Sequence, residues 1–156
     1  LKYFGAEVYV TSRQDQKLEI ARSFGADLCI NTGRQDLTEE IRRFTGGEMC
    51  DVVLDNIGIA STIEQSLQVL RPAGRVVVIG YADQEFTAVY QHIMLKEKEI
   101  VGCRASNLHE LKEVIRLVER GVIDPYIYRT YPFEAINQAL DDLRNGKSLG
   151  RTVLVF

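Results

Sequence analysis

The sequence predicts a doubly wound α/β fold, a parallel sheet with helices on both faces. Three observations carry that prediction. Short β-branched blocks alternate with stretches whose apolar residues recur at helical spacing. The strand blocks are apolar at nearly every position, as in sheets covered on both faces. Glycine or proline closes the helical stretches, at Gly25, Gly46-Gly47, Pro72 with Gly74, and Gly121 with Pro125.

The elements follow in order. Val8-Tyr9-Val10 marks a strand over Val8 to Thr11, and Gln14 to Phe24 a helix with Leu18, Ile20, Ala21 and Phe24 on its inner face. Asp27 to Ile30 is the next strand, and Asp36 to Thr45 a helix that presents Leu37, Ile41 and Phe44. Asp51 to Asp55 is a buried-strand run, Ser61 to Leu70 a helix, and Arg75 to Gly80 the clearest strand in the chain. Beyond Gly80 come a helix over Val89 to Leu95, a strand over 99–103, and a helix over Leu108 to Arg120 with Leu111, Val114, Ile115 and Val118 in register. The last residues differ: a strand Tyr126 to Tyr131, a helix Phe133 to Arg144 ended by Asn145-Gly146, and a strand Thr152 to Phe156 form a small strand-helix-strand appendage. The expected organisation is a nucleotide-type sheet domain over 1–125 and an appendage over 126–156.

Composition narrows the function classes. With 156 residues, 46% hydrophobic and 26% charged, the chain has the make-up of one globular domain. A net charge of −3 offers no basic face for a nucleic acid backbone or an anionic membrane, so neither is expected as a partner. No apolar window is long enough to span a bilayer. Cys29, Cys50 and Cys103 lack CxxC spacing and lie in or beside apolar runs, so buried free thiols and a reducing cytoplasm are expected.

Sequence signatures of hydrolytic or metal chemistry are missing. There is no GxSxG, no GxxxxGK[ST] and no HExxH, and His92 and His109 are the only histidines. Asp51 and Asp55 bracket one strand and would project from one face, which allows an acid–base pair; turn and helix-end acids at such positions are commoner. Lys96 to Glu99 alternates in sign and reads as a solvated turn.

The strand ends say more. In open α/β sheets, ligands collect outside the carboxyl ends of the strands. Here those ends are Thr11-Ser12-Arg13, Asn31-Thr32, Asn56-Ile57-Gly58, Gly80-Tyr81 and the Gly102-Cys103-Arg104 run. Glycine there permits close backbone approach, and arginine supplies a fork of donors for phosphate.

The order KLEIARSFGAD, CDVVLDNIG, LRPAGRVVVIGYA, LKEKEIVGCRAS, VERGVIDPYI and FEAINQALDDLRNGKSLGRTVLVF resembles the cofactor-binding half of the medium-chain dehydrogenase/reductases, most like the zinc-type alcohol dehydrogenases. The resemblance covers essentially the whole chain, and GRVVVIG with GKSLGRTVLVF is its most specific part. It implies a six-stranded Rossmann sheet that binds a nicotinamide dinucleotide, with Val8 to Thr11 as the second strand. It further implies that the corner after that strand reads the adenosine ribose, where NAD-preferring members place an acid. Ser12-Arg13 instead matches the NADP pattern, with Lys17 as a second cation for the 2′-phosphate. Thr32 stands where NADP-type relatives often have tyrosine. By the same resemblance Asn56, Ile57 and Gly58 line the adenosine and ribose region, Gly80 and Tyr81 the nicotinamide ribose, Gly102, Cys103 and Arg104 the nicotinamide edge, and Arg151 reaches the pyrophosphate.

The resemblance also marks gaps. The family's first strand and glycine-rich turn would precede Leu1, with Leu1 to Gly5 as the tail of the helix after them; no GxGxxG or GGVG occurs in the chain. The chain opens on Leu1 and not on Met, and is expected to be part of a longer polypeptide or to have its gap filled by a neighbour. The catalytic half, with any zinc ligands and proton relay, is expected outside these residues, so the chain alone should turn over no substrate. In the order 3-2-1-4-5-6, loss of the first strand would leave two strands separated from three, and the appendage strands would present bare apolar edges. The expected function is the cofactor-binding part of an NADP-dependent alcohol dehydrogenase, acting on a small alcohol or carbonyl. A zinc-independent quinone or enoyl reductase of the same superfamily is the nearer alternative. A non-catalytic module dimerising through strand 99–103 is the alternative of another class, and a methyltransferase-like fold leaves GKSLGRTVLVF unexplained.

Overall fold

A computed structural model describes residues 1–83 and 85–156 and gives seven strands and six α-helices in alternation among them. They are β1 (Tyr9–Ser12), α1 (Asp15–Ser23), β2 (Leu28–Asn31), α2 (Leu37–Phe44), β3 (Cys50–Asp55), α3 (Ala60–Val69), β4 (Leu70–Val78), α4 (Tyr90–Met94), β5 (Glu99–Gly102), α5 (Leu108–Glu119), β6 (Ile127–Pro132), α6 (Ile136–Arg144) and β7 (Arg151–Val155). Each expected element is present within one or two residues, apart from β4, which begins early, and α6, which begins three residues late because Phe133–Ala135 forms a 3-10 turn. A single 3-10 turn at Lys2–Phe4, closed by Gly5 at φ 76°, precedes them.

The strands form three sheets: β1 with β2, β3-β4-β5, and β6 with β7. The expected division of two strands from three is therefore present. The ladders of β3 with β4, β4 with β5, and β6 with β7 are all parallel.

Contacts divide the chain into two units. The first comprises Leu1–Val10, Gln14–Cys29 and Ser106–Phe156. Leu18, Tyr131 and Ala139 are buried there. The Asp27 carboxylate accepts from the Lys2 ammonium and from the Val8 N–H, both at 2.7 Å, which fastens the opening turn to the start of β2. Helix α6 is tied to β6 by Tyr131, whose hydroxyl donates to Asp142 Oδ2 at 2.5 Å while Arg129 Nη1 donates to that hydroxyl at 3.0 Å. Lys147 lies 3.4 Å from the other oxygen of Asp142.

The Tyr131 hydrogen bond, ahead of Lys147 and Arg129, holds the Asp142 carboxyl below its ordinary range. A lowered carboxyl pKa contributes stability that is fully present above the unfolded-state value of about 3.9 and is lost as pH falls through the folded value. Tyr131→Phe should accordingly destabilise the protein at pH 7, and its urea midpoint should converge with that of the parent as pH drops below 4. Parallel curves across that range would show that the hydroxyl does not act through Asp142.

The second unit comprises Thr11–Arg13 and Ile30–Ala105. Its core is Ile30, Ile41, Ile63, Val69, Leu70 and Val76, with Ile30 and Val76 at 0% exposure. Helix α2 packs on α3, and α3 lies on β3 and β4. Asp36 caps α2 by accepting from the Glu39 N–H at 2.8 Å.

The two limits of β4 differ from the sequence reading for physical reasons. Strand β4 begins at Leu70 because Leu70 pairs with Cys50 before the ladder skips to Val52 with Arg75. The four residues Arg71 to Gly74 form the bulge, with Ala73 at φ 56°. The same strand ends at Val78, because the N–H groups of Ile79 and Gly80 both donate to the Asp55 carbonyl, at 2.8 and 3.0 Å. Coverage of the sheet on both faces is not met within this unit: Val52 and Leu54, alternate residues of β3, stay 54% and 38% exposed. Likewise α5 buries none of its residues, although its apolar spacing is as expected.

The thiols divide. Cys29 and Cys50 are half-buried, and burial, aided by the Asp51 charge, pushes the Cys50 thiol up to about 11. Cys103 is exposed, contrary to expectation, because it follows the edge strand β5, all four of whose residues are exposed. No helix among the described residues is long and apolar enough to cross a membrane.

Candidate functional site

In the second unit three neighbouring parallel strands deliver their carboxyl ends to one edge. Asp55 pairs with Val78, and Val78 with Gly102, so the runs 56–58, 79–81 and 103–104 leave the sheet side by side. The first two are locked to each other by backbone. Ala82 N–H donates to Ile57 O at 3.3 Å, and Asp83 N–H to Gly58 O at 2.9 Å. A β-carbon on Gly58 would lie 2.1 Å from Gly80 O, and one on Gly80 would lie 2.2 Å from Ile57 C. Glycine at both positions is what lets the two corners touch, and Gly58 also holds a φ of +70°.

Asp55 organises this contact. Its side chain is buried at 4% exposure. Oδ1 accepts from the N–H groups of Ile57 and Gly58 at 2.9 and 3.0 Å, and Oδ2 from the Thr62 hydroxyl at 2.8 Å. The start of α3 is satisfied by one group from outside the helix and one from within it. Asp83 Oδ2 accepts the Ala60 N–H at 2.9 Å, and Thr62 Oγ1 accepts the Ile59 N–H at 3.3 Å. Asp51, in contrast, pairs with Arg71 at 2.6 Å. The two acids of β3 thus have separate structural duties, and no acid–base pair is formed.

Tyr81 stands 93% exposed beyond this corner, and Ile57 55%. At the end of β5 the Cys103 N–H continues the ladder to Val78 O at 2.9 Å. Gly102 faces open space, with nothing within 4 Å of a β-carbon placed there, and Cys103 and Arg104 are exposed.

Ser12, Arg13 and Thr32 are also brought together in this unit. The Thr32 N–H donates to Ser12 O at 3.1 Å. Asn31, which is buried, folds the next residues back by accepting the Gly33 N–H on its Oδ1 at 2.9 Å. A β-carbon on Gly33 would come within 4.0 Å of Arg13 Cβ. Arg13 is exposed and its guanidinium makes no ion pair among the described residues.

Lys17 and Arg151 belong to the first unit, where both line an open concavity of about 400 Å³ with Tyr126, Ser148 and Gly150. Tyr126 is fixed there at φ 40°, its N–H donating to Asp124 Oδ1 at 3.0 Å and its ring edge-on to Phe24 at 5.8 Å. The Arg151 N–H donates to Tyr126 O at 3.2 Å. Neither Lys17 nor Arg151 makes an ion pair among the described residues.

The sequence reading missed three contributors. Asp55 reads as a strand-end acid until its acceptor role is seen, and Asp83 has no local signal because its partner lies 23 residues away. Asn31-x-Gly33, an Asx-turn pattern, was legible as a turn and not as the frame of the Arg13 corner. His92 and His109 lie in α4 and α5 and are exposed. Among the described residues no three His, Cys, Asp or Glu side chains gather as metal ligands, so the residues present do not fit zinc and no chemistry is routed through it.

A parallel α/β sheet with glycine-backed corners at its carboxyl edge, and the exposed Arg104 beyond its last strand, defines a nucleotide-binding type of architecture. The comparisons are specific. The family model described as zinc-binding dehydrogenase matches residues 1–120, and the chain belongs to that family. An NAD-dependent alcohol dehydrogenase of Sulfurisphaera tokodaii is 32% identical over 151 residues, which are 97% of this chain and 44% of that protein. An L-threonine 3-dehydrogenase of Pyrococcus horikoshii is 32% identical over 154 residues, 96% of this chain and 44% of that protein. A crystal structure of an NAD-dependent alcohol dehydrogenase superposes with a TM-score of 0.91 at 30% identity, covering 99% of this chain and 45% of its own. The chain thus spans less than half the length of the relatives it matches.

Proposed function

We propose that these residues are the cofactor-binding part of an alcohol dehydrogenase-type oxidoreductase that uses NADP. The observation that carries the reading is the joined corner at Gly58 and Gly80 beside the open Gly102, in a chain of the zinc-binding dehydrogenase family. A bound dinucleotide supplies the hydride exchanged with a small alcohol or carbonyl. The chain's own residues bind and orient it. Gly58 and Gly80 let the two corners touch, Gly102 keeps the backbone bare of a side chain where a flat ligand must approach, and Asn56, Ile57, Tyr81, Cys103 and Arg104 border that surface. Arg151 is assigned to the pyrophosphate and Lys17 to the 2′-phosphate as a second cation; neither makes an ion pair among the described residues.

The NADP preference rests on Ser12 and Arg13. A serine in place of an acid removes a repulsion, and an unpaired guanidinium supplies charged hydrogen bonds to a 2′-phosphate. Relatives named as NAD-dependent pull the other way, so the preference is a property assigned to this corner and not to the family. A homo-oligomer is proposed through β5, an edge strand whose four residues are exposed.

Titration of the intact protein with NADPH and NADH, read by nicotinamide fluorescence, together with its size in solution, tests the proposal. Saturable binding of both, tighter for NADPH, is expected. Tighter NADH binding would reverse the preference, and a dimer that binds neither would make the chain a dimerisation module.

A further inference from the structure

The second unit holds another concavity on the opposite edge of its sheet. Helices α2 and α3 and the chain entering β5 enclose a crevice of about 500 Å³. Leu67, Lys96 and Lys98 line it just before the strands that start at Leu70 and Glu99, so it opens near the amino ends of these parallel strands, away from the glycine corners.

Its charge is unbalanced. Arg42, His92, Lys96 and Lys98 line it against a single carboxylate, Glu64. The Lys98 ammonium donates to Leu67 O in the last turn of α3, which fixes its position. Burial, and then the neighbouring Lys96 charge, depress its pKa, so two ammonium groups share this space at an electrostatic cost. Arg42, His92 and Lys96 make no ion pair among the described residues. Lys96 to Glu99 is therefore more than a solvated turn. Lys96 O accepts from the Ala73 N–H at 2.8 Å and Glu99 pairs with Arg75, while both lysines are left facing the crevice.

We propose that this crevice binds a small phosphate monoester, with Arg42, Lys96 and Lys98 on the phosphoryl group. Three cationic side chains facing one carboxylate call for a dianion, and a monocarboxylate would leave part of the repulsion in place. Thr38 lies one helical turn before Arg42 and adds a hydroxyl donor beside the guanidinium. Glu64 suits a hydroxyl on the carbon part of the ester, and the volume is that of a small-metabolite site.

The test is a chemical-shift titration of the intact protein with glycerol 3-phosphate, inorganic phosphate and acetate at constant ionic strength. Saturable shifts at residues 38–42, 64–68 and 92–98 are expected, with the ester tightest and acetate weakest. Arg42→Ala combined with Lys96→Ala should weaken the ester about tenfold or more. Lys96→Gln alone, a milder change at an exposed side chain, should weaken it in the same direction. Arg13→Ala, at the proposed dinucleotide corner, should leave it unchanged. Shifts confined to residues 11–13 and 32, no saturation, or unchanged affinity in the Arg42 and Lys96 variants would overturn the proposal.

Discussion

Replacing Gly58 with alanine should cost about 2–5 kcal/mol of stability, a left-handed backbone penalty of about 1–2 added to about 1–3 for overpacking. The new methyl would sit 2.1 Å from Gly80 O, 2.2 Å from Gly80 C and 2.6 Å from Tyr81 N, all of them backbone. That backbone cannot retreat freely, because the N–H groups of Ile79 and Gly80 are bonded to Asp55 O and that of Asp83 to Gly58 O. For a chain of this length the loss corresponds to roughly 10 °C in melting temperature. Gly102→Ala is the matched control. Its methyl meets nothing within 4 Å, and its melting temperature should stay close to that of the parent. If Gly58→Ala melted with the parent as well, the two corners would not be in contact. Dinucleotide binding by Gly58→Ala should fall with the corner, since Ile57 and Gly80, which flank Asn56 and Tyr81, are held in place by hydrogen bonds at the same corner.

Arg13→Ala should weaken NADPH by about 1–3 kcal/mol, on the order of ten- to a hundredfold, while NADH binding stays nearly unchanged. The two cofactors differ only at the 2′ position, so a residue that reads the phosphate must discriminate between them. Added salt should shrink the difference, because an exposed guanidinium is screened over a Debye length of about 10 Å at 0.1 M. Ser12→Asp should act in the same sense by restoring a negative charge to the corner. Equal losses for both cofactors in Arg13→Ala would assign Arg13 to general binding and remove the basis for the NADP preference. No loss for either would place the ribose corner elsewhere.

Much of the fold was legible because its signals are local. The β-branched run after Arg75 reads as a strand, which the structure forms as far as Val78, and Asp36 three residues before Glu39 marks a helix start that the structure forms with a hydrogen bond at 2.8 Å. Even the division into two and three strands follows from collinear order once the family is recognised. Less legible were the elements whose limits are set by partners. Strand β4 stops at Val78 because Asp55 O, on another strand, takes the next two N–H groups. Helix α3 is capped by Asp83, which no sequence window around Ala60 contains.

The candidate site divides along the same line. Sequence alone determined the residue types at the strand ends, the glycines, Ser12 with Arg13, and Arg151 before the last strand, because each is fixed by a run of neighbouring residues. It also determined the absence of hydrolase and zinc-ligand motifs within these residues. Only the tertiary structure decided which of those positions meet: Gly58 against Gly80, Ser12 with Thr32, and Lys17 with Arg151 in one concavity. It alone separated Asp51 from Asp55, giving one an arginine and the other a turn to hold. The physical reason is range. Propensity and periodicity act over a few residues, whereas backbone hydrogen bonds between strand ends and unpaired charges around a crevice depend on groups brought together from distant parts of the chain.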